Sequence, residues 1–263
     1  MNKIFSEESN KIKFLYSLKT IPNTEEFVEN ELISKFPKIK IVSKNKGKII
    51  FQTENYSISE FRAIHSALLV DNNHSIQHNL YRRNWRVDFI PAGINPALAY
   101  ILCQVASLNK DDILLDPFCG GSTIPITALL YFDINKAFAS DVSGRAIDVS
   151  EKCFQASGIT KNRFVLFRSN VSMIKLKPKT ITKVITNMPF GIRSGDHEKN
   201  IKLYNIFNLK LRSMLTDNGV IVLLTQEKNL VYETMGKNFN IKLIMVPEQG
   251  GLRPGVFRLT KKT

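Results

Sequence analysis

From about residue 90 to the end, the sequence repeats one rhythm: a short apolar run rich in β-branched residues, a loop, then a longer amphipathic stretch. The runs include DILLD, KAFASD, RFVLF, ITKVITN and GVIVLLTQ; between them lie TIPITALLYF, GRAIDVSEKCFQASG and IKLYNIFNLKLRSML. Strands that are apolar on both faces and separated by helices predict a parallel sheet covered on both sides, the doubly wound α/β architecture. Ahead of the first run, INPALAYILCQVASL predicts a helix capped by Asn95 with Pro96 at its first position. The last two runs, IKLIMVPEQ and GVFRLT, have no helix between them and meet around GGLRPG. That predicts an antiparallel hairpin on the edge of a mostly parallel sheet.

Residues 10–80 follow a different pattern. FLYSLKTI reads as a strand and NTEEFVENELISKF as a helix capped by Asn23 or Thr24. IKIVSKNKGKIIFQT reads as two strands around a tight turn, and SISEFRAIHSALLVD as a second helical stretch. The chain then divides into a small α+β unit over 1–80, a basic linker over 81–94 and the doubly wound unit over 95–263.

Lys and Arg number 37 against 23 acids, a net charge of +14. Two runs without an acid, KIKIVSKNKGK (Lys38 to Lys48) and KLKPKTITK (Lys175 to Lys183), concentrate part of it. A basic folded surface favours a polyanionic partner, because neutralising phosphates releases counterions; a solvated Lys-rich surface would give the same composition. The three cysteines, Cys103, Cys119 and Cys153, form no CxxC pair. That predicts a reducing, cytoplasmic setting with neither a disulfide framework nor a metal site. No run approaches the ~18 apolar residues of a membrane span, and the start of the chain lacks a signal-peptide core.

In doubly wound sheets, ligands sit beyond the carboxyl ends of the strands. The first strand is followed by DPFCGGST, Asp116 to Thr123, which contains Phe118 and the pair Gly120 and Gly121. Such a loop lets the backbone approach a ligand and opens onto a helix N-terminus, and it lacks the Gly-Lys-Ser/Thr of a P-loop. Asp141 follows the second strand, suited to accept hydrogen bonds from ribose hydroxyls, and Asn170 follows the third. Asn187-Met188-Pro189-Phe190 follows the fourth. Taken singly, each would also serve as an ordinary turn or helix cap; their order on successive strand ends sets them apart.

That order resembles the S-adenosylmethionine-dependent amino-methyltransferases, and more narrowly the THUMP-associated tRNA guanine-N2-methyltransferases. INPALA, DPFCGGSTI, ASDVSGRAI, ITNMPFGIRSG and GGLRPGVFRL carry the resemblance, which spans Tyr81 to Lys261. Upstream, LKTIPNTEEFVENELISKF and KGKIIF look like the ferredoxin-like domain that precedes THUMP in this family. The resemblance implies a Rossmann-like methyltransferase sheet with a small ferredoxin-like domain, S-adenosylmethionine as cofactor and tRNA or another structured RNA as partner. It assigns the cofactor to Asp116, Phe118, Gly120, Gly121, Thr123, Asp141, Asn170 and Asn187, and catalysis to Asn187, Pro189 and Phe190.

Three departures stand out. The family's Gly-Ser-Gly-Thr is Gly120-Gly121-Ser122-Thr123 here, which puts a Cβ where the backbone should approach the cofactor. Asn170 stands where an Asp is usual. About thirty residues separate GKIIFQ from YRRNWR, too few for a THUMP core, so a protein partner in its place is left open, as is the oligomeric state.

The chemistry implied is a clamp. The lone pair of a guanine N2 amine is delocalised into the ring. The Asn187 side-chain oxygen and a main-chain carbonyl, of residue 188 or 189, would accept both amine hydrogens and aim the lone pair at the methyl donor, with Phe190 stacked on a base taken out of its helix. Arg82, Arg83, Trp85, Arg86 and Arg193 are candidate nucleic-acid contacts, though Trp85 would equally pack. The same Asn-x-Pro-aromatic signature serves adenine and cytosine amino-methyltransferases acting on ribosomal RNA or DNA. A silent RNA-binding module on this fold is the other alternative.

Overall fold

The computed structural model describes residues 14–72, 77–91, 93–189, 196–248 and 250–262, the side chains of residues 196 and 197 excepted. Two sheets form. The smaller has five antiparallel strands: β1 (Phe14–Lys19), β2 (Lys40–Asn45), β3 (Lys48–Thr53), β4 (Leu69–Asn72) and β5 (Gln77–Asn79), in the order β2-β3-β1-β4-β5. Helix α1 (Glu25–Lys35) joins β1 to β2, which gives the strand order of a ferredoxin-like unit with one strand added. Its core joins Val28 and Leu32 of α1 to Leu18, Ile49, Phe51 and Phe61.

The second helix expected there is reduced to a 3-10 turn over Glu60–Ala63, after which residues 64–68 lead irregularly into β4. The cause is local. The buried Glu31 carboxylate accepts the backbone N–H groups of His65 and Ser66 at 2.9–3.1 Å and also binds Lys35 at 2.7 Å. Those N–H groups are therefore held in a turn instead of serving a helix.

The larger sheet has seven strands: β6 (Ile113–Asp116), β7 (Lys136–Asp141), β8 (Phe164–Arg168), β9 (Ile181–Asn187), β10 (Leu215–Thr225), β11 (Phe239–Met245) and β12 (Gly255–Lys261). Their order is β11-β12-β10-β9-β6-β7-β8, with β12 alone running against its neighbours. The closing hairpin forms, and its last strand lies inside β11. The order reverses between β6 and β9, so a crevice opens where Asp116 and Asn187 end their strands.

Residues alternate between two cores. Leu114, Ile185, Val222 and Leu224 face α2 (Pro96–Val105), α3 (Thr123–Tyr131) and α4 (Gly144–Ser157). Leu115, Val184, Ile221 and Leu223 face α5 (Asp196–Met214) and α6 (Lys228–Met235). Asn95 caps α2 by accepting the Ala97 N–H at 2.8 Å. Between β8 and β9, where a doubly wound sheet would carry a helix, the chain makes only a 3-10 turn over Val171–Met173. KLKPKTIT is too polar and too proline-interrupted to bury a helical face.

Candidate active site

The loop after β6 is fixed from below and from the side. The Cys119 N–H donates to Ser140 O at 2.9 Å, and the Gly120 N–H to Asp141 Oδ2 at 3.0 Å. The Ser150 hydroxyl of α4 donates to Gly120 O at 2.6 Å, and the Ser122 hydroxyl donates to Ser150 Oγ at 2.8 Å. Gly120 adopts φ +53°, and a Cβ there would lie 2.6 Å from Ile90 Cδ1. Ser122 also adopts a left-handed φ, +56°, a conformation that carries a penalty of about 1–2 kcal/mol for a residue with a Cβ. Its side chain is fully buried against Ser150. The Cβ that distinguishes this loop from Gly-Ser-Gly-Thr thus turns into the protein.

Asp116 is buried, its Oδ1 accepting the Thr186 hydroxyl at 2.6 Å and the Phe118 N–H at 3.2 Å. Burial pushes its carboxyl up to about 7. The Phe118 ring leans on Phe207 of α5, with centroids 5.6 Å apart, so this residue reaches the crevice by its backbone. Thr123 opens α3 and is buried. Asp141 ends β7; its Oδ1 accepts the Ser143 N–H at 2.9 Å, which leaves acceptor capacity on both oxygens. Asn170 lies exposed beyond β8, beside Asp141 through a Ser169 N–H···O=C Asp141 bond of 3.0 Å. Its own Oδ1 caps the following turn, accepting the Ser172 N–H at 3.0 Å.

Asn187 ends β9 next to β6. Its Oδ1 is buried and has no hydrogen-bond partner among the described residues, an arrangement that costs about 1–3 kcal/mol unless something supplies a donor. Met188 anchors the turn, its side chain in the core and its N–H on Leu224 O at 2.9 Å. Pro189 is exposed. Phe190 and Arg193 lie outside the described residues. The crevice thus joins a backbone loop, a carboxylate for hydroxyls and an amide oxygen awaiting a donor, which together fit a nucleoside cofactor beside an amine substrate.

The linker residues divide. Trp85 is 5% exposed and sits in the core of the larger sheet with Ile94, so it packs and does not meet a base. Arg83 is also structural: its guanidinium donates to the carbonyls of Leu80 and His65 and lies over the Tyr131 ring. Burial, the same cause that fixes its partners, lowers its pKa. Arg82 stays exposed, and Arg86 is half-buried over Phe89.

Thr186 and Ser150 are not among the residues the sequence singles out, and Ser122, expected to turn its Cβ to the cofactor, instead binds Ser150. Nothing in spacing marks Ser150, on a helix, as the partner of a loop before the previous strand. Thr186 alone carries a signal, a polar residue in an apolar strand one step from Asn187. Cys103, Cys119 and Cys153 are buried free thiols, and burial holds Cys119 well above the usual thiol range. Among the described residues no cluster of His, Cys, Asp or Glu is arranged to hold a metal, and no helix is long and apolar enough to cross a membrane.

A profile of the RMKL-like methyltransferase domain family matches residues 83–252. The chain is 28% identical over 169 residues to the tRNA (guanine(6)-N2)-methyltransferase of Thermus thermophilus, covering 64% of this chain and 50% of that protein. It is 31% identical over 144 residues to the tRNA (guanine(10)-N2)-dimethyltransferase of Methanothermobacter thermautotrophicus, covering 54% and 41%. The chain spans about half the length of such relatives, or less. The crystal structure of TrmN from Thermus thermophilus superposes with a TM-score of 0.80 at 17% identity, over 95% of this chain and 100% of that one; at that identity the likeness concerns the fold.

Proposed function

The chain belongs to the RMKL-like methyltransferase domain family, and from that premise we propose that it methylates the exocyclic N2 amine of a guanine in tRNA, with S-adenosylmethionine as cofactor. The observation that carries the reading is the buried Oδ1 of Asn187, without a hydrogen-bond partner among the described residues, at the strand end where the topology reverses. An acceptor there, with a main-chain carbonyl of residue 188 or 189, suits an amine with two hydrogens to give.

The bound cofactor supplies an electrophilic sulfonium methyl. The Gly120–Thr123 loop would hold its amino-acid portion, Asp141 its ribose hydroxyls and the chain beside Asn170 its adenine. Asn187 orients the amine and stabilises the positive charge that develops on nitrogen, a task of positioning and electrostatics that needs no nucleophile from the protein. Pro189 gives the turn a fixed φ, and Phe190 would stack on the base once it leaves its helix. The three buried free thiols agree with a cytoplasmic location.

The test is transfer of labelled methyl from S-adenosylmethionine to unmodified tRNA, ribosomal RNA and DNA in parallel, with nucleoside analysis. N2-methylguanosine in tRNA is the expected product. Label in an adenine or cytosine would retain the clamp and overturn the substrate; cofactor binding without transfer to any of the three would overturn the catalytic reading.

A further inference from the structure

The five strands of the small sheet contain four lysines, Lys19, Lys40, Lys44 and Lys48, and one acid, Asp71. One face of the sheet is filled: Tyr16, Leu18, Ile49 and Phe51 are buried against α1 and Phe61. The alternate residues form a second face, buried at Ser17 and accessible at its lysines. Leu15, Ile50 and Gln52 are half-buried on it, and Lys19, Lys40 and Lys48 are exposed.

The register puts like charges side by side. Lys19 lies directly opposite Lys48, and Lys40 opposite Gln52 on the same face. Directly opposed residues have Cβ atoms about 4.5–5.5 Å apart, and like charges at that range destabilise a sheet. None of the three lysines has an ion-pair partner among the described residues. Asp71 lies opposite Ser17, whose hydroxyl it accepts at 2.5 Å, while Leu69 is the β4 residue opposite Lys19. By contrast Lys44 is bound to Glu29. A cross-strand repulsion on an open face does nothing for the fold, and an anion brought from outside would relieve it.

The face also stands at the rim of the active site. The turn between β2 and β3 is tied to the loop leaving β11 at its carboxyl end: Lys46 pairs with Glu248 at 2.7 Å, and the Glu248 N–H donates to Pro22 O at 3.1 Å. The Asn23 amide reaches Val246 O at 2.8 Å. Lys19 and Lys48 flank this junction, since the Thr20 N–H donates to Gly47 O at 2.9 Å. Strand β11 stands three places from β9, so at the usual strand spacing the junction lies roughly 14 Å from Asn187 across the sheet ends. That is a span of a few nucleotides.

We propose that this face is where the RNA substrate docks, its phosphates drawn to Lys19, Lys48 and Lys40 while the target base enters the crevice at Asn187. The proposal rests on the methyltransferase reading for the identity of the polyanion. An open antiparallel sheet face can carry RNA; here Lys19 and Lys48 stand side by side at the end nearest the junction, and Lys40, opposite Gln52, lies roughly 13 Å further along β3, a spacing that follows a phosphate backbone across the face.

The test compares the 263-residue chain with Lys19→Gln/Lys48→Gln and with Lys40→Gln, using Lys110→Gln, on the loop before β6, as a control. Affinity for unmodified tRNA is read by filter retention across salt concentrations, alongside kcat, KM for tRNA and the Kd for S-adenosylmethionine. The double variant should raise Kd and KM for tRNA by ~10-fold and lower the log–log salt slope by about one per lysine. Its kcat at saturating tRNA and its cofactor Kd should not move, and the control should match the wild type. Wild-type affinity and slope in the double variant, or no binding of tRNA by the wild type, would overturn the proposal. Binding lost in the variant, with no methyl transfer even by the wild type, would support the docking face and sink the catalytic reading instead.

Discussion

The Asp141 carboxylate holds the loop of the neighbouring strand: its Oδ2 accepts the Gly120 N–H at 3.0 Å. The group suited to ribose hydroxyls is therefore also a strut of the backbone that would cradle the rest of the cofactor. Losing it should damage both. Asp141→Ala is expected to weaken S-adenosylmethionine binding about 100-fold by calorimetry, near 2.7 kcal/mol, and Asp141→Asn, which keeps one acceptor oxygen, by about 10-fold. An alanine variant that binds within a factor of two of wild type would exclude this role.

Because the Ser122 side chain turns inward to Ser150, Ser122→Gly should leave cofactor affinity within about threefold. It trades a left-handed penalty of about 1–2 kcal/mol for one lost hydrogen bond of similar size. Ser150→Ala strands the buried Ser122 hydroxyl and frees Gly120 O, and should lower stability by about 1–3 kcal/mol in denaturant titration. If Ser122→Gly instead tightened cofactor binding tenfold, its Cβ would have to face the crevice.

Burial raises the Asp116 carboxyl from 3.8 to about 7. An acid whose folded value stands above its unfolded one binds its proton more tightly in the folded chain. Unfolding then releases that proton, and stability declines as pH rises from about 4 to about 7. Asp116→Asn should remove that component, so the stability difference between variant and wild type grows in the variant's favour across the same window, by at most about 4 kcal/mol. Parallel stability-versus-pH curves for the two proteins would show that Asp116 ionises freely.

Lys183 closes one of the two basic runs yet is buried. Its ammonium donates to Ala106 O at 2.9 Å and Ser107 O at 3.3 Å, closing the end of α2, and faces Asp112 at 3.8 Å. Lys183→Met removes that cap and leaves the Asp112 carboxylate without its cation. It should cost about 3 kcal/mol of stability while leaving the salt slope of tRNA binding unchanged, which separates a structural lysine from a docking one.

Lys183 also illustrates what a sequence hides. Charge is legible in composition, but whether a lysine meets solvent or a helix end depends on which strand lies beside which. The large sheet was legible because its strands are apolar on both faces and their polar ends, Asp116, Asp141 and Asn187, come in chain order; the topology needs only that order. The small unit's second helix was misread because SISEFRAIHSALLVD has helical spacing, while the Glu31 carboxylate that unwinds it lies 34 residues away from His65. Trp85 beside three arginines looked like a nucleic-acid contact, and long-range packing took it into the core. The Ser122–Ser150 bond was invisible for the same reason: it joins elements that only the fold brings together.

The proposed chemistry turns on the Asn187 side-chain oxygen accepting a hydrogen from the target amine. Its most direct test is single-turnover methyl transfer to tRNA by Asn187→Ala, with cofactor and tRNA affinities measured on the same preparation. The rate should fall by ~10²–10³-fold, the scale of one lost preorganised contact, with both affinities within about fivefold of wild type. A variant that transfers methyl at the wild-type rate would contradict it.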